Sequence, residues 1–191
     1  MSWTTGTQTE ALSANIAVGS SFNTFTSAQY VGATTAAAYL PSNFFNLSKG
    51  VGSSILYKAY GIVGTTGTPN ITFAISANTT QGTYNSGGVL ATTPATATGT
   101  GLSNVEFDLE CLITCVTTGA SGSFLAMGRV LLYEAATTVR TLRLSSSTAN
   151  PNTAVTLSTE SAYYLELACT YSASSASNLI QLYQADVLGL N

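Results

Sequence analysis

The sequence predicts an all-β fold, an antiparallel two-sheet jelly-roll sandwich that carries an extended N-terminal arm. From residue 54 onward, apolar and polar residues alternate with the period of two that is typical of half-buried strands. Turns rich in Gly, Asn and Thr separate these segments, and no helical crossover lies between them, so the paired strands must run mainly antiparallel. Many such strands close into a sandwich or barrel. An immunoglobulin-like sandwich is the alternative to the jelly roll.

Nine segments carry this strand pattern. The most regular is residues 105–117, where Val105, Phe107, Leu109, Cys111, Ile113 and Cys115 share one face. The others are residues 54–63, 70–77, 89–91, 123–134, 138–144, 153–157, 162–172 and 178–190. The GASG sequence at residues 119–122 predicts a hairpin with a four-residue loop, which places Leu112 opposite Arg129.

The N-terminal part of the chain predicts a different organisation: an extended arm at residues 1–27, followed by the sandwich domain at residues 28–191. The arm has no sustained period, yet it carries the large apolar residues Trp3, Phe22 and Phe25. We expect these residues to dock on the same domain or on another subunit; the alternative, from the Ser and Thr content, is a disordered tail. The one helix candidate, residues 29–40, is rich in Ala and ends at a proline.

Charged side chains are scarce. They make up 7% of the 191 residues, against about 25% in an ordinary globular protein. Because charge keeps a freely diffusing protein soluble, we expect this surface to be covered by partners or to work outside the cell. Coverage by copies of itself, as a homotrimer, is the predicted arrangement. The net charge of −3 provides no basic surface for nucleic acid.

No targeting or membrane signal is evident in the sequence. Residues 1–10 lack the basic and apolar regions of a signal peptide. No apolar run reaches the roughly 18 residues of a membrane span. We therefore expect neither export by the usual route nor membrane association.

The residue types needed for most catalysis are missing, so we expect no enzyme and no cofactor. The chain has no histidine, which removes the commonest general base and the triads built on it. The Gly-rich GTTGTPN segment at residues 64–70 lacks the helix and lysine of a phosphate-binding loop.

One acidic cluster and three cysteines are the remaining candidates for chemistry. Glu106, Asp108 and Glu110 share a strand face with about 6.6 Å between successive carboxylates. A polar outer face neutralised by a neighbouring strand is the favoured interpretation; an interface metal ion and glycoside hydrolysis are the alternatives. Cys111 and Cys115 are about 13 Å apart along a strand, too far to chelate one ion, and with Cys169 they predict buried free thiols.

Tyrosine is abundant, with ten copies. Tyrosines in strands mostly pack against cross-strand neighbours. The alternative is a sugar-binding groove lined by Tyr57, Tyr60, Tyr163, Tyr164 and Tyr171.

Four segments of the chain resemble, in the same order, a group of virion proteins from tailed bacteriophages. They are YLPSNFFNLSKG (39–50), SILYKAYGIVGTTGTPNITFAI (54–75), TTGASGSFLAMGRVLLY (117–133) and YYLELACTYSASSASNLIQLYQADV (163–187). Shared features are an Asn-Phe-Phe opening, a Thr-Gly-Thr-Pro turn, a Gly-Ala-x-Gly hairpin and a Ser-Ala-Ser-Asn turn. The resemblance spans residues 39–188 and excludes the arm.

The resemblance implies a jelly-roll component of a virion, assembled in the cytoplasm of the bacterial host. The expected role is that of a capsid cement or decoration protein that bridges major capsid proteins on the capsid surface. A tail or fibre component that contacts the host is the first alternative, and an extracellular glycan-binding β-sandwich is the second. The expected interface residues are Trp3, Phe22, Phe25, Glu106, Asp108 and Glu110; no catalytic, cofactor-binding or metal-binding residue is expected.

Overall fold

The computed structural model describes residues 10–15, 22–31, 38–46, 50–84 and 86–190. In chain order its strands are β1 (Glu10–Asn15), β2 (Phe22–Asn23), β3 (Gln29–Tyr30), β4 (Ala38–Leu40), β5 (Ser54–Gly64), β6 (Asn70–Asn78), β7 (Val89–Thr92), β8 (Thr96–Ala97), β9 (Val105–Thr117), β10 (Ser123–Ala135), β11 (Thr138–Ser145), β12 (Val155–Thr156), β13 (Tyr163–Tyr171) and β14 (Leu179–Leu190). A 3-10 turn lies at Ser86–Gly88, and residues 44–46 are also helical. The predicted all-β, antiparallel fold is confirmed.

The strands pair into one curled sheet in the order β1-β14-β5-β9-β10-β11-β7-β6-β13-β3. Short strands extend it: β2 pairs with β14, β4 with β13, β8 with β6 and β12 with β10. We call β14, β5, β9, β10 and β11 the long half, and β7, β6 and β13 with β3 and β4 the short half. One residue pair, Ser145 with Thr92, joins β11 to β7. The division into two separate jelly-roll sheets stays a prediction.

The core lies between the two halves. Alternate residues of β9, including Phe107 and Leu109, are fully buried, and the Phe107 ring lies 5.2 Å from the ring of Phe73 in β6. Burying side chains of this size is worth roughly 1.5–3 kcal/mol each. The alternation predicted from the sequence thus sets which face of each half points inward. Cys111, Cys115 and Cys169 lie in this core as free thiols, which confirms their predicted burial.

Two local predictions had different outcomes. The ends of the helix candidate at residues 29–40 form the strands β3 and β4, because each pairs with the edge of β13; residues 32–37 lie outside the described residues, so a helical turn there stays a prediction. The predicted hairpin register was wrong. In the β9–β10 hairpin, Arg129 lies opposite Glu110, and Leu112 lies opposite Met127. The register differs because Thr117 pairs with Ser123 around a five-residue loop, and a β-bulge then shifts the ladder.

Two segments of the predicted arm take part in the sheet. β1 and β2 both pair with β14, and Phe25 is buried with its ring 5.3 Å from that of Tyr171. Tyr171 is fixed in turn because its hydroxyl donates to the Leu179 carbonyl oxygen at 2.7 Å. Trp3 lies outside the described residues, and the boundary at residue 27 stays a prediction.

Candidate binding face of the long half

The outer face of the long half carries side chains in rows that run across the strands. The strand register sets these rows: Gln184, Tyr60, Asp108 and Leu131 form one, and Asp186, Lys58, Glu110, Arg129 and Arg143 form the next. A third row contains Leu188, Leu56, Leu112 and Met127. The same alternation that buries the odd-numbered residues from Phe107 to Cys115 in β9 therefore presents its acidic residues to the outside.

The charge of this charge-poor chain is concentrated here. Three of its five cations and four of its eight acids occupy this face. They are Lys58, Arg129, Arg143, Glu106, Asp108, Glu110 and Asp186. This face therefore differs chemically from the Ser- and Thr-rich remainder of the chain.

The charges on the face are only partly neutralised. Lys58 Nζ lies 3.3 Å from Glu110 Oε2, with both side chains about half exposed, and such surface pairs contribute roughly 0–1 kcal/mol. Arg129 is also opposite Glu110, but its other cross-strand neighbour is Arg143. Like charges directly opposite one another are destabilising. The two arginines are therefore available to an anionic group from outside the chain.

Exposed apolar side chains share the same face. Five of the seven large hydrophobic residues that the described part of the chain exposes lie here. They are Tyr60, Leu112, Met127, Tyr133 and Val139, with Met127 being 76% exposed. Apolar groups clustered among charged ones are typical of a binding surface rather than of a solvated one.

A groove of about 390 Å³ crosses the end of this face that carries Tyr60 and Asp108. Tyr183, Tyr60 and Tyr133 line it together with the carboxylates of Glu106 and Asp108. Tyr183 and Tyr133 lie on β14 and β10, which are three strand spacings, or about 14 Å, apart. The groove therefore has aromatic residues towards both ends and two carboxylates between them.

A β-bulge in β14 positions Tyr183. Leu182 pairs with Gly61 and Gln184 pairs with Tyr60, so Tyr183 is the extra residue between two paired positions. Gly61 permits this close approach, because a Cβ there would lie 2.0 Å from the Gln181 carbonyl oxygen. The Tyr60 hydroxyl donates to Gln184 Oε1 at 3.0 Å, and Gln184 Nε2 donates to Asp186 Oδ2 at 2.7 Å. The bulge and these bonds hold the rim in place without a ligand.

An ion pair fixes the edge of the face beside Tyr133. Arg140 donates from Nε and Nη2 to the two carboxylate oxygens of Glu134, at 2.6 and 2.9 Å. Glu134 also accepts a hydrogen bond from the Gly99 backbone N–H at 2.9 Å. These donors lower the pKa of the Glu134 carboxyl, with the Arg140 hydrogen bond as the largest cause. The pair ties the β10–β11 hairpin to the loop before β9.

A second carboxyl, Glu166 in the short half, is buried, and no cation among the described residues forms an ion pair with it. It is 1% exposed and accepts hydrogen bonds from the Gly82 N–H at 2.5 Å and from the Asn78 side-chain amide. Burial is the largest influence and raises the pKa of Glu166 above its usual range. Because it is enclosed and engaged by the loop after β6, Glu166 serves structure rather than ligand binding.

The sequence-predicted residues divide between this face and the core. Glu106, Asp108 and Glu110 do lie together on the exposed face of β9. Phe25 is in the core rather than on this face, and Phe22 belongs to β2. Whether any of these residues forms an interface stays a prediction.

The tyrosines predicted to line a sugar groove are mostly elsewhere. Tyr57 and Tyr171 are buried, and Tyr163 and Tyr164 belong to the short half. Of that set Tyr60 alone lines the groove. Sequence reasoning missed Tyr133, whose alternation within residues 123–134 signals an outward position, and Tyr183, whose position depends on a bulge that no periodicity signals.

No three His, Cys, Asp or Glu residues within the described ranges are grouped so that they could hold a metal ion. In the same part of the chain, no helix has the length and apolar character required to cross a membrane.

Comparison with known proteins assigns the chain to no family. No family model matches the chain, and no curated protein matches it. Among solved structures, the chain is similar to the CBM2 module of the evolved Dit protein of Lactobacillus casei BL23 phage J-1, with 11% sequence identity and a TM-score of 0.35 over 97% of each chain. That similarity is too low to carry an argument about fold or function.

Proposed function

We propose that this chain is a non-catalytic structural and binding domain of a bacteriophage particle, attached through the outer face of its long half. The observation that carries the proposal is the concentration of charged and exposed apolar side chains on that one face of a chain with 7% charged residues. The ordered resemblance of residues 39–188 to tailed-phage virion proteins supports the particle as its location.

The partner is a neighbouring protein of the particle that presents an apolar patch beside carboxylates. Met127 and Leu112 provide the apolar contact. Arg129 and Arg143 lie next to them and opposite one another; Glu110 lies opposite Arg129, whereas Arg143 has no carboxylate opposite it on β10. Guanidinium groups bind carboxylates in a two-point geometry. Large apolar anchors and arginines are the side chains that carry most of the free energy at protein interfaces.

A tail or fibre component fits this chain better than a capsid cement protein. Cement needs a contact surface alone, whereas the tyrosine groove adds a concave ligand site beside the contact surface. The cement role remains the second candidate, because scarcity of charge suits a protein that is covered on many sides. The same proposal includes that the chain forms a homotrimer and that its two halves are the two sheets of a jelly roll.

Particle attachment tests the proposal directly. Particles that lack the protein are incubated with purified chain, and the bound fraction is measured for the wild type, Met127→Ser and Arg143→Glu. Both variants are expected to attach at least about tenfold more weakly, because each removes a contact of an interface anchor. Val51→Ser is the matched control, since Val51 is exposed outside the face.

Unchanged attachment of both variants contradicts the proposed face. Copy number in purified particles then separates the two roles, because cement proteins occur in hundreds of copies and tail or fibre proteins in few. Light scattering checks the trimer, which a stable monomer at micromolar concentration contradicts.

A further inference from the structure

We propose that the groove between Tyr183 and Tyr133 binds an uncharged oligosaccharide built of hexopyranose units. This inference rests on the proposed binding role and names the ligand class of one part of the face. The groove lies at the end of the face away from Met127, so a sugar there does not compete with the apolar protein contact.

The tyrosine rings of the groove are free to stack on a ligand. Tyr60 is 48% exposed and Tyr133 is 39% exposed. None of the ring–ring contacts in the described part of the chain involves Tyr60, Tyr133 or Tyr183. The C–H face of a pyranose ring is apolar and packs on an aromatic face, and tyrosine suits a site that is partly wet. The rings are thus not needed for internal packing at the positions where a sugar would use them.

The carboxylates supply the polar half of the recognition. Asp108 has Tyr60 and Leu131 as its cross-strand neighbours, and Glu106 lies opposite Ile62. Neither faces a cation across the strand, in contrast to Glu110, so their oxygens remain available to hydroxyl donors. Hydrogen bonds from a neutral donor to a charged oxygen are short and strong. The same two charges repel uronic acids, sialic acids and phosphorylated sugars, which restricts the ligand to uncharged sugars.

The groove is formed in advance of binding. The bulge at Tyr183 and the hydrogen bonds from Tyr60 to Gln184 and from Gln184 to Asp186 fix its wall. A rigid site loses less conformational entropy when its ligand binds. Its volume of about 390 Å³ lies within the roughly 300–1,000 Å³ of small-ligand sites.

A second open groove in the described part of the chain differs from the tyrosine groove in the side chains that line it. It is larger, at about 480 Å³, and lies among the turns around Gly67, Gly101 and Ser177. Its lining has no aromatic and no charged side chain. Volume alone therefore does not select the tyrosine groove; the pairing of rings with carboxylates does.

Titration of the full chain with defined oligosaccharides tests the inference. Maltohexaose, cellohexaose and chitohexaose are the uncharged probes, and hexagalacturonate is the charged one; binding is followed by calorimetry and by NMR of the tyrosine rings. At least one uncharged probe is expected to bind at a concentration of about 1 mM or below, with shifts confined to the groove tyrosines. Hexagalacturonate is expected to cause no such shifts.

Variants assign the binding to the groove. Tyr133→Ala and Tyr60→Ala are each expected to weaken it at least about tenfold, since each removes a stacking ring. Asp108→Asn is expected to weaken uncharged binding less and to reduce the exclusion of hexagalacturonate. Tyr39→Ala is the matched control, because Tyr39 is an equally exposed tyrosine that packs on Tyr164 in the short half.

Three outcomes overturn the inference: no binding of any uncharged probe at about 1 mM, binding that Tyr133→Ala and Tyr60→Ala leave unchanged, or preferred binding of hexagalacturonate. Its failure is distinguishable from failure of the proposed function. Met127→Ser and Arg143→Glu are expected to weaken particle attachment and to leave sugar binding unchanged, because both residues lie outside the lining of the groove. Loss of attachment with intact sugar binding, or absent sugar binding in a wild type that attaches to particles, therefore identifies which of the two proposals has failed.

Discussion

The ring of Phe73 in β6 lies 5.2 Å from the ring of Phe107 in β9, with an angle of 47° between their planes. This contact joins the short half to the long half across the core, while the backbone ladder joins β11 to β7 through a single residue pair. Side-chain contacts across the core therefore contribute to holding the two halves together. Aromatic pairs of this kind are worth about 0.5–1.5 kcal/mol beyond the area that they bury.

Replacing one of these rings is expected to destabilise the whole domain. Phe73→Ala removes a fully buried ring and leaves a cavity, which lowers the free energy of unfolding by about 3–5 kcal/mol. Met127→Ala is the control, because Met127 is exposed and its loss is expected to stay within about 0.5 kcal/mol. Urea unfolding followed by circular dichroism measures both. Equal effects of the two substitutions contradict this account of the core.

The buried Glu166 predicts an unusual pH dependence. Its pKa is raised in the folded state, so between the unfolded value of about 4.3 and that raised value the folded chain binds more protons than the unfolded chain. Its contribution to stability is therefore present at low pH and is lost as the pH rises through this window. Glu166→Gln removes the titration, so its stability relative to the wild type is expected to improve from pH 4 towards pH 7. If Glu166→Gln instead loses stability relative to the wild type between pH 4 and pH 7, the prediction is wrong.

Glu134→Gln is the matched control for this prediction. Arg140 lowers the pKa of Glu134, so the contribution of Glu134 to stability is present above its unfolded pKa and is lost as the pH falls through its folded pKa. The stability of Glu134→Gln relative to the wild type is thus expected to worsen as the pH rises. The two carboxyl variants give pH profiles of opposite sign in the same unfolding assay.

The three cysteines are expected to be unreactive in the native protein. Burial raises the pKa of the Cys111 thiol to about 12, and it raises those of Cys115 and Cys169 as well. Since the thiolate is the reactive form, a thiol reagent should label none of them before denaturation and all three after it. Mass spectrometry counts the labels, and rapid labelling of the folded chain contradicts the prediction.

The long strands could be predicted from the sequence because their signal is local. In β9 the buried and exposed positions follow the period of two from Glu106 to Cys115, so the shared face of Glu106, Asp108 and Glu110 followed as well. The short strands β3 and β4 could not be predicted, because they exist through pairing with β13, which is distant in sequence.

The tyrosine groove also depends on pairing between strands that are distant in sequence. Tyr183 reaches it through a bulge opposite Gly61, and the register of the β9–β10 hairpin depends on a second bulge next to Ser123. A bulge shifts the register by one residue without leaving a periodic trace in the sequence. Tyr60 and Tyr133 lie in segments whose alternation predicted strands. The alternation does not predict which strands are neighbours in the sheet, so it could not predict which tyrosines line the same groove.

Truncation decides whether residues 1–27 are an arm or part of the domain. Removing them deletes β1 and β2 from the edge of β14 and takes Phe25 from its contact with Tyr171. Loss of the buried Phe25 ring alone is expected to cost about 3–5 kcal/mol, so the truncated chain should melt at a clearly lower temperature. Removing residues 1–9 is the control, because it leaves every described strand intact. If both truncations melt like the full chain but the longer one no longer attaches to particles, residues 1–27 act as an independent arm.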